Sequence, residues 1–284
     1  MIDVITTADD FGLDIAVNEA VEQAHRDGIL TSTSLMVGGP AAADAVARAR
    51  RLPTLRVGLH LALVDAIPLL PPPEIAGLVG CDGEFRRDQG AAGVDFYLRP
   101  SVRAQLRREI AAQFAAFART GLTLDHVNAH KHMHVHPTVA RLIIEIGRDY
   151  RLRSVRLPSE PAPIIRALDP ADPPGWAVRL WQPWVGFLRR RLRAAGLRTN
   201  DRVFGLHWSG RMTGERLLGL LPRLPATGLT EIYFHPAAER TADLARRMPD
   251  YRHVEELVGL LDPRVRAQVA ALGIHLTSFG AVAP

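Results

Sequence analysis

Cysteine is nearly absent. Cys81 is the only one in 284 residues, which excludes a disulfide framework and suits a reducing compartment. Lysine is as scarce, with Lys131 alone among 35 basic residues. The +5 formal charge and the pI near 10.1 therefore rest on arginine. That skew points to GC-rich coding and dispersed solvated charge, and no nucleic-acid partner is expected. Long apolar runs are also missing. None reaches ~18 residues, so no membrane-spanning helix is expected. The start, Met1-Ile2-Asp3-Val4-Ile5, has no basic segment ahead of an apolar stretch, so no signal peptide is expected. The remaining composition, 47% hydrophobic and 23% charged, excludes a disordered chain and can bury a sizeable core.

Short strand-like runs alternate with helix-like segments, the pattern of an α/β protein with mainly parallel strands. Strands are expected at 2–8, 29–37, 57–63, 124–130, 154–157, 203–207, 232–235 and 274–279. Helices are expected at 14–27, closed by Gly28, at 40–51, and at 138–149 after Pro137. Seven or eight such strands predict a barrel-like fold in one domain over 1–284, with a doubly wound open sheet as the alternative. Residues 65–99 hold Pro68, Pro71, Pro72 and Pro73, then Gly83, Gly90 and Gly93. That insert is too long for a plain connection and reads as a functional loop or lid. A second inserted segment covers about 158–200.

Five of the eleven histidines fall within 126–136: His126, His130, His132, His134 and His136. All are at even positions, so a continuing strand would turn them to one face. Imidazole suits zinc and similar ions, and this density points to a metal or proton-transfer site. Not all can be ligands, so some are expected to orient the others. A second signal is Ala8-Asp9-Asp10-Phe11-Gly12 at the end of the first strand. Adjacent acids there point to different sides, so one can hold a metal while the other meets its water. Asp14 already serves as a helix cap, which leaves the pair unexplained by capping. Histidines also sit in the apolar strand Gly58-Leu59-His60-Leu61 and at the end of Glu231-Ile232-Tyr233-Phe234-His235-Pro236. Carboxyl ends of parallel barrel strands converge on one mouth, and Asp9, Asp10, His60, His130 and His235 all sit at such ends.

These segments, with His126-Val127-Asn128-Ala129-His130-Lys131-His132-Met133-His134, resemble the YdjC-like carbohydrate deacetylases, which include the chito-oligosaccharide deacetylases. Val155-Arg156-Leu157-Pro158-Ser159-Glu160-Pro161, the proline-rich 67–75 stretch and the long 160–200 segment resemble the branch associated with hopanoid biosynthesis. The resemblance implies a distorted (β/α) barrel of about seven parallel strands. It implies one divalent metal, zinc or magnesium, held by Asp10, His60 and His130, with Asp9 as general base and His235 as general acid. His126, Asn128, His132, His134, Arg156 and Glu231 are then expected around the metal or the substrate. Lys131 departs from the chito-oligosaccharide enzymes, which commonly carry another histidine there. That leaves the ligand count intact and weighs against an oligosaccharide substrate.

Residues 176–193 gather Trp176, Trp181 and Trp184 beside Arg189, Arg190, Arg191 and Arg193, with Pro183 between them. One reading is a barrel helix with a solvated basic end. The other is a lipid-facing flap, kinked or split by Pro183. The expected activity is removal of acetyl from an N-acetylglucosaminyl hopanoid lipid by a cytoplasmic protein peripheral to the inner membrane surface. The alternatives are a soluble amino-sugar or chito-oligosaccharide deacetylase, and a noncatalytic metal or lipid carrier. A carrier would not need Asp9 or His235.

Overall fold

The computed structural model describes residues 2–175 and 177–281, apart from the side chains of 177–181. Seven strands build one sheet: β1 (Ile2–Phe11), β2 (Ser32–Leu35), β3 (Arg56–Leu61), β4 (Leu124–Ala129), β5 (Arg202–Phe204), β6 (Leu229–Phe234) and β7 (Ile274–Thr277). Their order is β4-β3-β2-β1-β6-β5, and every pairing is parallel. β7 pairs with the first half of β1, from Ile2 to Ile5, while β2 takes the second half from Thr7 to Phe11. This shared edge distorts the sheet.

The strand expected at 154–157 reduces to isolated bridges, Val127 to Val155 and Ser154 to Arg198. Its role survives, because the Val155 N–H donates to the Arg198 carbonyl and the Val203 N–H to the Ser159 carbonyl. Irregular backbone thus spans the gap between β4 and β5, giving a curled, barrel-like single α/β domain.

Helices return the chain between strands, as parallel connections require. Asp14 caps the helix Ile15–Asp27, its carboxylate accepting from the Ala16 N–H at 2.9 Å, and Gly28 ends it. The 65–99 insert holds a 3-10 turn, Pro72–Ile75, and the helix Gln89–Leu98. The second insert holds the helices Ala162–Leu168 and Ala177–Ala194. The latter is continuous through Pro183, so of the expected kink or split the split does not occur. Among the described residues no helix is long and apolar enough to cross a membrane.

Buried side chains of the strands fill the barrel, among them Val4, Leu35, Leu59, Val127, Phe204 and Ile232. Gly58 shows how tightly: a Cβ there would lie 2.5 Å from the His126 ring. The glycine in β3 makes room for an imidazole from β4.

Candidate metal centre

β1 ends in a bulge between Ala8 and Phe11, and Asp10 within it has φ of 62°. A left-handed aspartate costs about 1–3 kcal/mol, a strain that concentrates at functional sites. The bulge overrides strand alternation. Asp9 and Asp10 were expected on different sides, but both reach one cluster.

Asp10 Oδ1 lies 3.2 Å from His60 Nε2 and 3.1 Å from His130 Nδ1. One ligand atom from each of the three falls within 4.8 Å of the others. Asn128 fixes the His60 tautomer. Its amide nitrogen donates to Asp9 Oδ1 at 3.0 Å and to Ser34 Oγ at 2.9 Å, so its oxygen accepts from His60 Nδ1 at 2.7 Å. His60 Nε2 then turns a lone pair toward a carboxylate. It and Asp10 Oδ2 are buried without a hydrogen-bond partner. Such a facing pair is repulsive unless a proton or a metal ion sits between them, and a donor set of one carboxylate and two imidazoles fits a zinc-type ion. The local field agrees. Burial alone would raise the Asp10 carboxyl, yet the imidazoles of His130 and His60 hold it well below its ordinary range. Burial would lower His60, but Asp9 and Asp10 raise it.

Asp9 is held differently. Burial pushes its carboxyl up, and the Arg156 guanidinium overrides this and keeps it ionised far into acid. Arg156 is fully buried. It donates to Asp9 Oδ2 at 2.5 Å and Oδ1 at 3.0 Å, and to both oxygens of Glu231 at 2.8 and 3.0 Å. Its plane also covers the Tyr233 ring at 4.7 Å. Glu231 takes a further hydrogen bond from Thr7 at 2.8 Å. Arg156 and Glu231 thus orient Asp9 rather than reach the metal position.

His235 lies at the end of β6. Its imidazole is pushed down to about 4, chiefly by burial, with Asp10 and Asp9 opposing. The helix His253–Leu261 grips its peptide from both ends. The Glu256 carboxylate accepts from the His235 N–H, and His253 Nδ1 meets the His235 carbonyl at 2.7 Å. The Tyr251 ring packs on His235 with centroids 4.9 Å apart.

The five histidines of 126–136 do not share a face. β4 stops at Ala129, and Lys131 and His132 follow with φ of 50° and 54°. Alternation holds only through His126, Asn128 and His130. His126 points deeper into the barrel, with Nε2 3.0 Å from Ser34 Oγ and Nδ1 3.0 Å from Asp125. His132 meets the Tyr233 hydroxyl at 3.1 Å. His134 is buried beside His132 with neither ring nitrogen hydrogen-bonded. His136 caps the helix Pro137–Gly147, accepting from the Thr138 N–H at 3.3 Å. Lys131 reaches Asp65 at 2.6 Å and so ties the 65–99 insert to the segment carrying His130.

The aromatic, basic segment is only partly described: Trp176 and the Trp181 side chain lie outside the described residues. Val185, Leu188 and Leu192 bury one face of the helix. Half-buried Trp184 donates from its indole to the Val135 carbonyl at 3.0 Å and stacks on exposed Phe187. Arg189 and Arg193 both pair with Asp201, while Arg190 is exposed and Arg191 half-buried.

With this geometry in place, comparison with known proteins is decisive for the family. A profile described as YdjC-like protein matches residues 3–271. The chain belongs to the YdjC-like family. A carbohydrate deacetylase of Geobacillus stearothermophilus is 30% identical over 97% of this YdjC-like chain and 96% of its own length. One from Vibrio vulnificus is 42% identical over 55% of the chain, a match spanning 60% of that protein's length. A crystal structure from Enterococcus faecalis, described as a cellobiose-phosphate cleavage protein, shares the fold with a TM-score of 0.76. It is 24% identical and covers 100% of this chain and 99% of its own.

Sequence reasoning missed Ser34, Tyr251, His253 and Glu256. A signal existed for the last two: a histidine and a glutamate three apart on the helix face that also buries Leu257 and Leu260.

Proposed function

We propose that this YdjC-like chain is a metal-dependent N-deacetylase acting on an N-acetylated amino sugar. The observation that carries the reading is the carboxylate Asp10 facing two imidazoles, with Asp9 and His235 beside it. Asp10, His60 and His130 would hold a divalent ion, which would supply a Lewis acid to polarise the amide carbonyl and acidify water. Two imidazoles favour zinc or another transition ion over magnesium.

Asp9 keeps one lone pair on Oδ2 after its bonds to Arg156, and there it would take the proton of the attacking water. His235 enters the reaction neutral at pH 7, because burial holds it near 4. It can therefore give up only a proton it has first received. The proton that the attacking water gives to Asp9 would return to the adduct's oxygens and pass from them to His235, which would deliver it to the departing nitrogen. Without that delivery the amine would leave as an anion, a very poor leaving group. The amide C–N bond breaks, acetate forms, and the amine carries the proton away.

One observation favours a lipid-linked sugar over a free one. On the helix Gln89–Leu98, Val94, Tyr97 and Leu98 are 56%, 58% and 64% exposed, and Phe187 on the other insert is 44% exposed. Both edges adjoin the segment after His130: the Phe96 and Tyr97 rings meet His136, and Trp184 bonds Val135. An apolar rim flanking a polar site suits a sugar carried on a hydrophobic aglycone such as a hopanoid at a membrane surface. Mass spectrometry of an N-acetylglucosaminyl lipid and of free chitobiose, each incubated with metal-loaded protein, tests both levels. Loss of acetyl from either supports the deacetylase. Loss from chitobiose alone removes the lipid reading, and loss from neither removes the function.

A further inference from the structure

The opposite end of the barrel carries a second feature that the deacetylase reading does not use. A cavity of about 670 Å³ opens among the amino ends of β3 and β4, lined by Arg50, Arg56, Arg151 and Arg153, with Asp125 and Gly280 among its other walls. Its size lies within the range of small-molecule sites, about 300–1,000 Å³. From Asp125 to His130 along β4 is about 16 Å at the rise of an extended strand, so this cavity is separate from the metal centre.

The charge around it is unbalanced. Some arginines elsewhere find acids, as Arg48 does with Asp44 and Glu22 and Arg247 with Glu84 and Asp243, while others, such as Arg103, Arg108 and Arg223, bond backbone carbonyls. Among the described residues, Arg50, Arg56, Arg151 and Arg153 have no carboxylate within 4.0 Å; Arg50 gives one nitrogen to the Thr120 carbonyl. Asp125, the acid in this lining, offsets at most one of the four charges. Its Oδ1 accepts from the Gly280 N–H at 2.9 Å and its Oδ2 meets His126 Nδ1 at 3.0 Å, so both oxygens are occupied from within. The local backbone is also specialised. Arg151 is a non-glycine residue with φ of 55°, and Leu152 is buried between the exposed Arg151 and Arg153. The turn therefore anchors through Leu152 and leaves its two guanidiniums at the cavity. Four guanidiniums around one cavity outnumber its single lining acid and match the oxygens of a phosphate, and the lining Leu52 and Tyr150 offer surface for an attached ring.

We propose that this cavity binds a phosphate monoester, a phosphorylated small molecule held by Arg50, Arg56, Arg151 and Arg153. The test is titration calorimetry of the full, metal-loaded chain at low salt, with glucose 6-phosphate, inorganic phosphate, glucose, and phosphatidylglycerol vesicles as separate probes. Glucose 6-phosphate should bind saturably with Kd at or below about 1 mM, and glucose should not bind. The double variant Arg56→Ala/Arg153→Ala should weaken the phosphate ester by at least about tenfold, since two charge-assisted contacts are removed. Arg56→Lys/Arg153→Lys should fall between the two, because lysine keeps charge but loses the fork. Unchanged melting and metal content of the variants would exclude unfolding and binding at the metal. No saturable binding, or equal binding by the double alanine variant, overturns the proposal. Arginine-dependent binding to vesicles alone would overturn it as well, by assigning the charge to a lipid surface.

Discussion

Replacing Arg156 with methionine should be among the most damaging single changes in the barrel, and its pH signature should identify why. Arg156 is fully buried and bridges two buried acids, Asp9 and Glu231. Methionine fills much of the volume but leaves both carboxylates without their partner. Breaking a buried pair by removing one side costs about 3–5 kcal/mol. A chain of 284 residues unfolds with an entropy of roughly 0.6 kcal/mol/K. The melting temperature should therefore drop by about 5–8 °C. In the native protein Asp9 is held below its ordinary range, so its contribution is present above about pH 4 and is lost as pH falls through the lower folded value. In Arg156→Met, burial acts on Asp9 against only the weaker pulls of His60 and His235 and raises it. The folded variant then binds more protons than the unfolded chain, and its stability falls as pH rises from about 4 toward the raised value. The stability gap between the two proteins should widen from pH 5 to pH 8. Urea unfolding followed by circular dichroism across that range measures it, with Arg156→Lys recovering part of the loss. A gap below about 1 kcal/mol, or one that does not change with pH, would refute the reasoning.

Other changes reach different parts of the account. Asp9→Asn and His235→Gln should each retain metal, measured by elemental analysis, while turnover drops at least ~100-fold; full activity on an N-acetyl amide in either variant removes that residue's role. Gly58→Ala should destabilise by about 1–3 kcal/mol, because the new Cβ meets the His126 ring at 2.5 Å, and an unchanged melting curve would show that β4 yields there. Tyr97→Ser/Leu98→Ser should slow turnover of a membrane-embedded N-acetylglucosaminyl lipid and spare a short soluble N-acetylglucosaminide. Equal effects on both would end the lipid reading.

Much of this arrangement was readable in the chain because parallel strands put their chemistry at one end. Asp10, His60 and His130 are far apart in sequence, yet each stands where a strand stops. The errors came from backbone conformations that leave no mark in residue pattern. A bulge turns Asp10 toward the site, and left-handed Lys131 and His132 break the period that seemed to align five histidines. The strand expected at 154–157 pairs only through isolated bridges to Val127 and Arg198. Glu256 and His253 were obscured for another reason. They act on the His235 peptide rather than on its side chain, so their helix spacing marks a buried polar pair without pointing to the site. Pro183 is expected to kink or split a helix, and the helix is not split there.

If Asp10, His60 and His130 hold the metal that drives removal of acetyl from amino sugars, activity must follow the metal. Acetate release from an N-acetylglucosaminide, followed before chelation, after chelation and on return of zinc, tests it most directly. The account predicts that activity disappears with the chelator, returns with about one equivalent of metal per chain, and does not return in Asp10→Ala, whose ligand set is broken. Acetate release that persists undiminished in the chelator, or that metal restores equally in Asp10→Ala, would contradict it.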